Sequence, residues 1–252
     1  MDISIDYEIR YISKYAYKKL KSHKLLKSLE PICVQKLRNF KKNKKKISNY
    51  FSKAKKIKKI ILRPLFFNSK KIYYDQLNNL KKDFLNEVKI PDRIKIEESL
   101  QIPNFNYIKF DEIKKIIDNY KHFDLNFTWY QNVGSLKPYK KIINIIDKKK
   151  GNLCFEMHDN SEETNNILNF LSKKKNIKIL IPSFSRLNCF SFHNRKFFKK
   201  KNVFFLTSAA YSYSIWYKIL RLEFKKNKIL FGTDHPFNNL KSLKMYNYFK
   251  NK

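Results

Sequence analysis

The chain has 252 residues, 42% hydrophobic and 16% aromatic. That is enough apolar material for a sizeable core and excludes a wholly disordered chain. Three Gly and three Cys exclude collagen-like, glycine-linker and disulfide-scaffold architectures. The net charge is +35, yet only 7 of the 56 basic residues are Arg. Lys, Asn, Ile, Phe and Tyr abound, as a gene in an AT-rich genome would encode them. Lys then fills solvated positions, whereas a surface shaped to grip phosphate favours the forked guanidinium. No apolar run approaches the roughly 18 residues of a membrane span. The start, Met1-Asp2-Ile3-Ser4-Ile5-Asp6, lacks the basic region and apolar run of a signal peptide, so the expected location is cytoplasmic.

In chain order, Ile3, Ile5 and Ile9 mark a first strand. Residues 9–64 then hold one acid, Glu30, against 17 Lys and 3 Arg. Tyr11, Tyr15, Tyr17, Phe40, Tyr50 and Phe51 are interleaved with these bases. Bases can track a phosphate backbone and aromatic faces can stack on unpaired nucleobases, so this stretch is a candidate polyanion or RNA contact. The helical spacing of Ile12, Tyr15, Ala16 and Leu20 favours instead a basic helical insertion, residues 11–59, whose aromatic residues are core.

Ile60-Ile61-Leu62 with Leu65-Phe66-Phe67 reads as a strand. Residues 73–84 and 110–120 read as helices, and the stretch between them, with Pro91 and Pro103, has no assignable pattern. Strands follow at 124–129, 153–157, 177–181, 203–206 and 229–231. Helices fall at 136–146, after a Ser161 cap with Glu162 and Glu163 in the first turn, and at the stripe Ile215, Trp216, Ile219 and Leu220. Strands alternating with helices of this length mean βαβ units and a parallel sheet. Seven or eight such units predict one (β/α)8 TIM-like barrel domain over residues 1–252. A doubly wound open sheet is the alternative, weakened because no glycine-rich fingerprint follows any strand.

Polar residues at the C-terminal ends of barrel strands converge on one face. Two ends stand out: Phe155-Glu156-Met157-His158-Asp159, and Gly232-Thr233-Asp234-His235-Pro236 after Ile229-Leu230-Phe231. His122 and His23 are expected in solvent, and Cys154 as a small core residue. The apolar strand ending in Gly-Thr-Asp-x-Pro resembles the last barrel strand of the amidohydrolase-related, metal-dependent hydrolases. In the same order, residues 202–208, 178–183, 155–158 and 124–129 sit where that family has its seventh, sixth, fifth and fourth strands. Ile5-Asp6-Tyr7-Glu8-Ile9-Arg10 sits where it has Asp-x-His-x-His.

The resemblance implies a divalent metal, zinc first, that activates a water against a small-molecule substrate. Asp234 would be the catalytic carboxylate and a metal ligand, His158 a second ligand and Glu8 a third. The departures are Glu8 and Arg10 in place of the first-strand histidines and Ser183 in place of the sixth-strand one. His193 is a candidate replacement. Arg10 stays cationic and cannot be a ligand. Two further readings follow: a catalytically degenerate barrel that binds a ligand or serves as a scaffold, and a polyanion binder acting through residues 9–64.

Overall fold

A computed structural model of the chain describes residues 4–21, 40–65, 69–127, 134–157, 161–182, 195–208 and 226–233. Eight parallel strands follow one another in sequence order: β1 (Ile5–Tyr11), β2 (Lys59–Pro64), β3 (Lys95–Gln101), β4 (His122–Phe127), β5 (Asn152–Met157), β6 (Lys178–Ile181), β7 (Val203–Leu206) and β8 (Ile229–Leu230). Each strand pairs with the next. The Tyr7 N–H donates to the Phe231 carbonyl at 3.0 Å, so the chain just past β8 meets β1 and the ring closes. This is the expected (β/α)8 barrel.

Helices fill the connections: α1 (Lys14–Lys21), α2 (Phe40–Lys53), α3 (Lys70–Glu87), α4 (Phe110–Lys114), α5 (Lys137–Lys148), α6 (Glu162–Leu171) and α7 (Arg195–Phe198). Local chemistry starts them. The Ser161 hydroxyl accepts from Thr164 N–H at 3.2 Å and puts Glu162 and Glu163 in the first turn of α6, at the positive end of its dipole. Pro138 sits in the first turn of α5, where its missing N–H has no helical partner to lose. The α5 stripe Tyr139, Ile142, Ile143 and Ile146 is buried against the ring.

Apolar side chains lie between the ring and the helices. One cluster joins Phe123, Leu125, Phe127, Leu153, Phe155, Ile179 and Phe205 to α5, α6 and α7. A second joins Ile9, Tyr11, Ile60 and Leu62 to α1, α2 and α3, and includes Tyr50 and Phe51. Tyr11, Tyr50 and Phe51, three of the aromatic residues interleaved with the N-terminal bases, are thus core and closed to solvent.

The structure differs from the sequence reading at several elements. β3 falls in the stretch that had no assignable pattern. Residues 110–120 form not one helix but α4 and a 3-10 turn (Ile117–Asn119), which buries both Ile113 and Ile117 before β4 begins at His122. The stripe at 215–220 and Phe66-Phe67 lie outside the described residues. Among the described residues, no helix is long and apolar enough to cross a membrane.

Candidate active site

The lumen of the ring is polar, although barrel interiors are commonly filled by branched apolar residues. On β4, Phe123, Leu125 and Phe127 pack outward while His122, Asp124 and Asn126 point the other way. The alternation follows from the two-residue period of a strand. Three layers result.

At the N-terminal end of the strands, the buried His122 ring bonds Glu97 through Nε2 (2.8 Å) and the Asn152 amide through Nδ1 (3.2 Å). His122 is therefore not in solvent, as the sequence suggested: its strand position turns it into the lumen. Burial lowers its pKa to about 4, so at neutral pH the ring is uncharged, with Nε2–H donating to Glu97 and Nδ1 accepting from Asn152. In the same layer Lys178 Nζ sits 4.8 Å from the ring centroids of both Tyr7 and Phe204 and 3.2 Å from the Tyr7 hydroxyl.

In the middle, Cys154, Leu180 and Leu206 form a small apolar group. Beside it the fully buried Arg63 bonds Asp124 Oδ1 at 2.7 Å, Ser99 Oγ at 3.2 Å and the Tyr7 carbonyl at 2.8 Å. Burial works against the Arg63 charge, but Asp124 and neighbouring anionic groups outweigh it and raise its pKa. Burial also pushes the Cys154 thiol well up, which keeps it protonated and inert.

The third layer lies at the C-terminal ends of the strands. Arg10 donates to Glu8 Oε1 from Nε (3.2 Å) and Nη2 (3.0 Å), and Nη2 also reaches Glu156 Oε2 at 2.7 Å. Asn126 Nδ2 donates to the same Glu156 oxygen at 3.1 Å. β1 and β5 stand on opposite sides of the ring, so this contact crosses the lumen. Burial raises the Glu8 pKa; Arg10 opposes the rise and Glu156 adds to it. Two carboxylates thus share one guanidinium at the face where this architecture does its chemistry.

The first strand reaches this geometry through an irregular register between Asp6 and Ile9. Asp6 turns away from the lumen into the join between β1 and the end of β8. It accepts from Thr233 N–H (3.1 Å), the Thr233 hydroxyl (2.8 Å), the Tyr50 hydroxyl (2.9 Å) and Glu8 N–H (3.1 Å). At Gly232, an added Cβ would come within 3.2 Å of Leu206 Cβ and 3.3 Å of Glu8 Cβ, so a side chain here would require its neighbours to shift by a few tenths of an ångström.

Of the residues assigned by family resemblance, Glu8 is in the site. His158 and Asp234 lie outside the described residues, as do His193, Ser183 and His23. Arg63, Asp124 and Asn126 belong to the polar lumen and were missed as site residues. Of the three predicted metal ligands, only Glu8 is among the described residues. Glu8 is held by a guanidinium that stays cationic and would repel a dication, and among the described residues no three His, Cys, Asp or Glu side chains group to hold a metal.

No protein-family model matches the chain, and no curated protein matches it. Solved structures do. An amidohydrolase II is 14% identical with a TM-score of 0.59, over 97% of this chain and 91% of that one. A 2,6-dihydroxybenzoate decarboxylase in complex with 2,6-dihydroxybenzoate is 10% identical with a TM-score of 0.60, over 100% of this chain and 93% of that one. The 5-carboxyvanillate decarboxylase of Novosphingobium aromaticivorans, complexed with manganese and a nitrobenzoic acid, is 9% identical with a TM-score of 0.60, over 96% and 89%. Strand order, ring closure and these likenesses agree: the chain has the amidohydrolase-related (β/α)8 barrel fold.

Proposed function

We propose that the chain is a small-molecule enzyme that hydrolyses a small organic acid or removes a carboxylate from it at the C-terminal mouth of the barrel. The observation that carries this reading is the Glu8–Arg10–Glu156 bridge across the lumen. It puts a fixed positive charge and two carboxylates at the mouth. The fold supports the reading in kind, since solved proteins that share it are named as an amidohydrolase and as decarboxylases of aromatic acids.

On this reading Arg10 balances the charge of an anionic substrate. Glu156, whose side chain is 19% exposed against 1% for Glu8, is the carboxyl group that faces the mouth. The resemblance adds Asp234 as a catalytic carboxylate and His158 beside it. Metal-dependent hydrolysis through Asp234, His158 and Glu8 is the competing form, and what opposes it is the engagement of Glu8 by Arg10.

The test incubates the purified full chain with aromatic and aliphatic hydroxy acids, lactones and amides and follows turnover by NMR. Metal content is measured on the same preparation and on Asp234→Ala. Turnover of an organic acid by metal-free protein is the expected result. Stoichiometric zinc or manganese that is lost in Asp234→Ala would restore the metal-dependent form. A folded protein that turns over none of these compounds would reject the enzyme reading and leave a ligand-binding barrel.

A further inference from the structure

We propose that Arg10 is the anchor for the carboxylate of a small hydroxy acid, and that Glu156 is a resident carboxylate which the ligand displaces. This deepens the reading above and rests on it. Arg10 holds its two carboxylates among the described residues unequally. The Glu8 side chain is 1% exposed and bonds both Nε and Nη2, so it is a fixed partner. The Glu156 side chain is 19% exposed and meets the guanidinium through Nη2 only, with Asn126 Nδ2 on the same oxygen. An incoming carboxylate offers the guanidinium the same chemistry as Glu156.

Charge decides between displacement and addition. In the described upper lumen three carboxylates, Glu8, Glu156 and Asp124, already face two guanidiniums, Arg10 and Arg63. A fourth carboxylate added to these would be repelled in a partly dehydrated site. If Glu156 swings toward solvent as the ligand docks, the local charge is unchanged.

A second observation points to the rest of the ligand. Arg63 Nη2, Asp124 Oδ2 and Asn126 Oδ1 are buried and make no hydrogen bond among the described residues. Arg63 is 0% exposed and Asp124 6%. Buried polar atoms of this kind are costly unless a water or a ligand satisfies them. Asn126 links them to the anchor, since its amide nitrogen bonds Glu156. One is a donor and two are acceptors, and a hydroxyl can both accept from Arg63 and donate to Asp124. A carboxylate on Arg10 with a hydroxyl directed below it describes a hydroxy acid.

Calorimetric titration of the full chain with salicylate and benzoate, with phenol as the neutral control, tests the assignment. Salicylate is expected to bind the wild type and to bind Glu156→Gln about tenfold more tightly, because a neutral amide releases Arg10 more readily. Arg10→Met is expected to lose binding, and phenol to bind none of the proteins. Equal salicylate affinity in wild type and Glu156→Gln would overturn the displacement, and that comparison stands even if Arg10→Met fails to fold. Undiminished binding to a folded Arg10→Met would overturn the anchor. Salicylate binding that requires a co-purified metal would overturn the anchor too, while leaving the small-organic-acid reading in place. If neither carboxylate binds the wild type or Glu156→Gln, both the inference and that reading fall.

Discussion

On β4 every second side chain is polar, His122, Asp124 and Asn126, and the residues between are apolar. That alternation is visible in the sequence. In an open sheet it would mean one solvated face, and only closure of the ring converts it into a polar lumen. The wrong expectation for His122 came from judging one residue without its strand partners. Its environment gives a pH dependence. Burial holds the folded-state pKa near 4, below the ordinary 6.5, so the stability it contributes is present above pH 6.5 and is lost as pH falls through 4. Burial alone would raise the pKa of Glu97, but hydrogen bonds from His122 and Lys59 bring it to about 2, so its contribution is lost lower down, between about 4.5 and 2. The His122 window is worth up to about 3 kcal/mol at 1.36 kcal/mol per unit. Urea midpoints measured against pH should therefore fall between 6.5 and 4 in the wild type. They should fall less steeply there in His122→Gln, which retains an amide donor for Glu97. A midpoint in the variant that falls as steeply as the wild type would contradict this account.

Elements were legible where the apolar pattern was uninterrupted. Residues 203–206 match β7 residue for residue, and the Ser161 cap of α6 is where the sequence put it. β3 was hidden because Lys95-Ile96-Glu97-Glu98-Ser99 carries polar residues on both sides of the pleat at its N-terminal end. Those acids are accounted for by partners distant in sequence: Glu97 by Lys59 and His122, Glu98 by Lys81. The join between β1 and the end of β8 was equally hidden, because Asp6 sits on a strand and finds Thr233 only when the ring closes. Removing its carboxylate strands the buried N–H groups of Thr233 and Glu8 and leaves the Thr233 hydroxyl only the longer bond to the Glu8 carbonyl at 3.3 Å. At about 1–3 kcal/mol for an unsatisfied buried group, Asp6→Ala should cost about 3–5 kcal/mol. Tyr50→Phe, which removes one of the four bonds, should cost about 1 kcal/mol. Hydrogen exchange should show the loss at the join, with faster exchange of the Tyr7 and Thr233 amides in Asp6→Ala. If Asp6→Ala is no less stable than Tyr50→Phe, the carboxylate does not hold the ring shut.

At the scale of the whole molecule, the +35 net charge is spread over a surface crowded with lysines. Lys18, Lys19, Lys45, Lys46, Lys53, Lys55, Lys56 and Lys58 are exposed along the N-terminal stretch. Tyr11, Tyr50 and Phe51 from the same stretch are core and cannot stack on nucleobases, so a polyanion meeting this face would find charge without those three platforms. Few acids are available to offset the lysines, and some surface acids engage a single lysine, as in Lys70 with Glu112 at 3.5 Å and Lys81 with Glu98 at 3.7 Å. Exposed pairs of this kind contribute little, so mutual repulsion among lysines governs how stability responds to salt. The buried pairs Arg63–Asp124 and Arg10–Glu8 are shielded from ions and should respond far less. Simple salt screens repulsion over about 8 Å at physiological ionic strength, which is comparable to the spacing of neighbouring surface charges. The melting temperature should therefore rise as sodium chloride is added from low ionic strength to about 0.15 M, and level off beyond it. A melting temperature that falls over the same range would mean that attractive surface pairs outweigh the repulsion, so that the lysine excess is not what limits stability.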